Sequence, residues 1–158
     1  MATIRKSAFA LTAAERNRYL TVVANLNSGP TPTRYGKLVA HHRDMSHLMH
    51  GSMGLIGAQR FLSWHRDYLL KLEQQMQSLD PASFIPYWSW SKNRAIPSWM
   101  AGVLPTVAVP AAGGMPAATV NVTRTPHLPA GLPTAAQINS LDANPGLSYT
   151  QFTSLLES

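Results

Sequence analysis

The stretch that most constrains the fold is Arg60–Glu73, RFLSWHRDYLLKLE. Apolar residues at Leu62, Leu69, Leu72, Met76 and Leu79 recur at three- and four-residue spacing, which marks one face of a helix. His65 interrupts that stripe. An imidazole on an apolar face is either hydrogen-bonded within a core or bound to something, because a buried polar ring needs a partner.

Neighbouring segments bear on the choice. The spacing predicts a second helix from about Thr33 to Met49 or His50, with Tyr35, Leu38, Val39, His42, Met45 and Met49 on one face. At 100° per residue His42 lies mid-stripe, His41 points to the side and His47 falls on nearly the opposite face. His50 closes the helix where Gly51 breaks it, and GSMGLIG reads as a loop into an Arg60–Leu79 helix. Joined this way, the two helices would pack antiparallel with His42 and His65 facing one interior. Two histidines on facing helices, with a third at the loop mouth, are better explained by a metal than by packing. With no cysteine in the chain, such a metal takes imidazole, carboxylate or backbone oxygen. Imidazole suits zinc, copper, iron or nickel.

Elsewhere Thr12 and Glu15 form a capping box that opens a first helix with Tyr19, Val22, Val23 and Leu26 inward, closed by Gly29, Pro30 and Pro32. FIPYWSW, after Asp80-Pro81, reads as an extended packing segment. Residues 97–146 hold eight prolines and five glycines, with Arg124 and Asp142 the charged residues, and read as a loop-rich excursion. Within it, 117–124 suggests an extended piece and 134–142 a short capped helix. His127 reads as a surface residue. A last helix starts at Ser148, and its Phe152, Leu155 and Leu156 look like a face awaiting a partner.

At 158 residues and 45% hydrophobic, the chain suits one mainly α domain, 1–158, with little β. Its net charge of +6 is scattered and lacks a basic stripe, which argues against nucleic-acid binding. No apolar run reaches the roughly 18 residues of a membrane span. Glu15, Arg16 and Arg18 interrupt any signal-peptide core, so a cytoplasmic location is expected from the sequence as written.

RFLSWHRDYLL followed by LEQQM and DPASFIPYWSW closely resembles the first copper segment of the tyrosinase and polyphenol oxidase family, FLPWHR-x-(F/Y)L, an acid on the same helix, then LPYWDW. YGKLVAHH resembles the family's first ligand helix, and LPTAAQINSL with YTQFTSLLE the stretch before its second copper segment. The resemblance implies a helical core with two coppers, each held by three histidines, that oxidises monophenols or o-diphenols to o-quinones with dioxygen. By position His42 and His65 are the first and third ligands of the first copper. The second is assigned to His50, with His47 as the alternative, because the position nine residues before His65 is Ile56 here. No catalytic residue beyond the ligands is assigned.

Ser63 replaces the family's Pro and Ser89 its Asp, and the lack of cysteine excludes a thioether to a copper histidine. The second copper segment would begin just after Glu157. The expected role is therefore the first-copper half of a phenol oxidase, completed by a second chain or a C-terminal fragment and exported with such a partner in some relatives. The alternative is a mononuclear copper storage or delivery module. A homodimer and a metal-free structural protein rank behind both.

Overall fold

The structure is a computed structural model, and it describes residues 4–104, 106–122 and 133–157. Five α-helices dominate it: α1 (Ala13–Leu26), α2 (Arg34–Arg43), α3 (Leu55–Leu79), α4 (Ala135–Asp142) and α5 (Tyr149–Glu157). One antiparallel pair, β1 (Thr106–Val109) and β2 (Ala118–Asn121), accompanies them. The chain is thus mainly α with little β, as its periodicity predicts. His127 lies outside the described residues.

Helix starts follow the capping chemistry. The Thr12 hydroxyl accepts from Glu15 N and the Glu15 carboxylate accepts from Thr12 N, so both free donors of the first turn are satisfied. Thr134/Gln137 and Ser148/Gln151 repeat the arrangement at α4 and α5. Val22, Val23 and Leu26 of α1 then meet Met76 of α3 and Val103 in one buried cluster.

Around α2 the expectations need correcting. The helix ends at Arg43 rather than at Met49 or His50. Asp44 draws its carboxylate onto Ser46, accepting from the backbone N at 3.0 Å and the hydroxyl at 2.6 Å. That local bonding competes with the helix and starts a 3-10 turn at Met45–His47. Leu48 then adopts a left-handed backbone, φ 48°, which reverses the chain. In compensation α3 begins at Leu55, five residues before Arg60 and inside the glycine-rich segment. The apolar stripe on α3 is also narrower than its spacing suggests: Leu69 and Leu79 are exposed, whereas Ala58, Glu73 and Met76 are buried.

The Pro/Gly-rich region carries more structure than its composition indicates. Ala112 and Met115 exchange backbone hydrogen bonds across Gly113 and Gly114, both with positive φ, which turns β1 back as β2. Val107 and Val109 pack on Ala40 of α2. Gly36 permits the approach, since a Cβ there would collide with the carbonyl oxygen of Ala108. So α2 is backed by the hairpin on one side and faces α3 on the other.

The face expected on α5 is partly spent within the chain. Thr153 is fully buried, with its hydroxyl 2.7 Å from the carbonyl oxygen of Ala58 on α3. Phe152 is half-buried rather than exposed. Ile85–Tyr87 extends beside the N-terminal segment through Tyr87 N to Lys6 O and Ala8 N to Tyr87 O. Buried Glu73 joins these parts: it takes both forks of Arg5 at 3.1 and 2.9 Å and the backbone N of Ile85 at 3.0 Å.

Candidate metal centre

Three segments converge on one point. His42 comes from the last turn of α2 and His65 from the middle of α3. His50 lies between the two 3-10 turns, in extended backbone. Their rings are 5.1 to 5.6 Å apart, and one nitrogen from each lies within 4.8 Å of the others, a group able to hold a metal ion. The helices run antiparallel here, since Leu38 meets Tyr68 and, further along α2, His42 meets His65.

Each ring is held by its surroundings. His65 Nδ1 lies 2.7 Å from the carbonyl oxygen of Phe61, a contact that requires the proton on Nδ1 and leaves Nε2 with a free lone pair. Burial, followed by the nearby rings of His65, His50 and His41, pushes His42 below the ordinary imidazole value of 6.5. A ring so shifted is neutral at neutral pH, the form that binds a metal. Tyr68 donates its hydroxyl to Leu38 O at 3.1 Å and lies 5.4 Å from the His42 ring. Burial, and then Tyr35, pushes that phenol up to about 12, so it stays a donor. Trp64 stacks on Tyr68 at 5.3 Å and flanks His42 and His65.

His50 is set by backbone. Gly57 is buried within the first turn of α3, where a Cβ would sit 2.7 Å from the carbonyl carbon of His50 and closer still to its oxygen. Only a residue with no side chain lets that peptide lie against the helix. The sequence signal for Gly57 was a glycine within an apolar run; reading GSMGLIG as loop concealed it.

His47 is not in the group. Its Nε2 lies 3.0 Å from His41 Nδ1, and both of these rings contact Trp64. Ser89, where the related pattern has an acid, lies 3.4 Å from the Ser91 hydroxyl. The aromatic residues Trp64 and Tyr68 were not singled out by sequence reasoning, although their one- and three-residue offsets from His65 place them beside it on α3.

Three imidazole nitrogen donors without thiolate or carboxylate fit copper or zinc. No described helix is long and apolar enough to cross a membrane.

Comparison with known proteins agrees with this arrangement. The model of the common central domain of tyrosinase matches residues 32–146. A tyrosinase of Streptomyces galbus is 38% identical over 99 residues, 60% of this chain and 35% of that protein. A tyrosinase of Streptomyces lincolnensis is 34% identical over 95 residues, 59% of this chain and 33% of that protein. Grixazone synthase of Streptomyces griseus is 33% identical over 95 residues, 59% of this chain and 31% of that protein. The chain spans about a third of the length of these curated relatives. With a family model covering most of its length and a three-histidine group where the WHR helix meets the helix before it, the chain belongs to the tyrosinase family.

Proposed function

We propose that these residues form the first-copper part of a phenol oxidase, with His42, His50 and His65 as the ligands of one copper ion. The observation that carries this reading is the convergence of the three imidazole nitrogens within 4.8 Å, in a chain of the tyrosinase family. Copper held by His42, His50 and His65 would, together with a second copper, supply the dioxygen chemistry for two-electron oxidation of o-diphenols to o-quinones, with dioxygen reduced to water. In this reading a second chain or a C-terminal fragment with three further histidines would complete the two-copper site.

The contribution of these residues is positional. Phe61 O fixes the tautomer of His65, the peptide seat at Gly57 aims His50, and Tyr68 ties α3 to α2 one turn before His42. Trp64, Tyr68 and Phe61 pack around the rings and keep water from their flanks. No side chain of this segment is assigned to proton transfer.

The test is copper loading followed by oxygen uptake with an o-diphenol, for this chain alone and together with the polypeptide that carries the remaining histidines. Turnover only in the completed protein, abolished by His65→Gln, supports the proposal. One firmly bound copper with no oxidation in either form would instead support a mononuclear copper-binding module.

A further inference from the structure

His41 and His47 stand outside the ligand group, yet each is tied to an element that carries a ligand. His41 precedes His42 in the last turn of α2, and His47 closes the 3-10 turn three residues before His50. Their rings join these two elements, with His47 Nε2 3.0 Å from His41 Nδ1. Asp44 Oδ2, an acceptor, lies 3.6 Å from the same His47 nitrogen, which favours a proton there. His47 Nε2 therefore donates and His41 Nδ1 accepts. Both rings also contact Trp64, the residue before His65 on α3, with centroids 5.3 Å away for His41 and 5.7 Å for His47. The pair thus touches all three segments that supply an imidazole.

The turn is held from two sides. Bonds of Asp44 with Ser46, and of Leu48 N with Met45 O, shape it but stay within it. The His47 carbonyl accepts from Arg60 Nη1 at 3.2 Å, which holds the turn to α3, while the ring bond holds it to α2. Beyond it come Leu48, left-handed at φ 48°, the fully buried Met49, and His50. Fixing the turn on both helices fixes the direction in which the chain leaves it toward His50.

We propose, resting on the three-histidine reading of the centre, that the His41–His47 hydrogen bond presets His50 for copper. Neither residue is a ligand; both are positioning residues that act by holding the turn that delivers one. A ligand already in place need not be ordered on binding, so the bond raises affinity without touching the metal.

Copper(I) is the probe, titrated into the metal-free chain and its variants against a chelator while imidazole nitrogens are read by NMR. His47→Gln sets an amide nitrogen where Nε2 stands and keeps the donor; His47→Leu fills the space without it. In His47→Leu copper should bind about tenfold more weakly, with the His50 response reduced while His42 and His65 still shift. His47→Gln should stay within about threefold of wild type, because the bond is kept. Wild-type affinity and a full His50 response in His47→Leu would overturn the proposal. Equal losses in His47→Gln and His47→Leu would also overturn it, since they mark the ring's packing and not its bond. His41→Phe keeps a ring against Trp64 but removes the acceptor; it should match His47→Leu, and it decides the matter should that variant fail to fold. Copper that moves none of His42, His50 and His65 in the wild type would bring down the three-histidine reading and this role together. A His50 response unchanged in both disruptive variants brings down this role alone.

Discussion

At the scale of single residues, backbone geometry sets the candidate centre as much as the histidines themselves. Gly57→Ala would drive a methyl group into the His50 carbonyl, and something must move. The expected result is weaker binding of the first copper by at least about tenfold, or about 1.4 kcal/mol. Gly102→Ala is the control: nothing lies within 4 Å of its Cβ position and its φ is not positive, so copper affinity should not change. Competition titration against a copper chelator measures both. Tyr68→Phe removes the hydroxyl donated to Leu38 and should cost about 0.5–1.5 kcal/mol in urea unfolding. His42 and His65 were legible in the sequence because each sits within a regular helical period. The distinction between His50 and His47 was less so, because it depends on the reversal at Leu48 and the turn begun by Asp44. Neither belongs to any repeating pattern.

Among the elements, capping residues located helix starts well. Thr12, Thr134 and Ser148 each stand one residue before a helix, because the free donors of a first turn demand a nearby side-chain oxygen. Helix ends depended on tertiary packing and were less predictable. α2 stopped early at Asp44, and α3 began early because Gly57 and Ala58 are buried there. β1 was missed in a proline-rich region because its strand character comes from Val107 and Val109 meeting α2, a contact far away in sequence. α5 is joined to α3 by the buried Thr153 hydroxyl. Thr153→Val keeps the shape but removes the hydroxyl's bond to the Ala58 carbonyl, so it should destabilise by about 0.5–1.5 kcal/mol. Faster amide exchange confined to α5 and the start of α3 would check the location of the effect.

For the molecule as a whole, Glu73 is the junction between the N-terminal segment, α3 and the extended Ile85 segment. The Arg5 side chain, with the Ile85 amide, holds its carboxyl below the ordinary 4.5 against an opposing effect of burial. A carboxyl whose pKa is lowered on folding stabilises the fold above its unfolded value. That contribution is lost as pH falls through the lower folded value. The wild type should therefore exceed Glu73→Gln in urea midpoint by most near neutral pH, and the gap should close below about pH 4. The apolar periodicity of α3 gave no hint of this buried acid; the family likeness marked an acid on the helix but said nothing of its burial. The central claim remains the ligand set. Its most direct test is one equivalent of copper(I) added to the metal-free chain, with imidazole nitrogens read by NMR. Shifts at His42, His50 and His65 with His47 unmoved are the predicted result; a shift at His47 in place of His50, or none at all three, would contradict it.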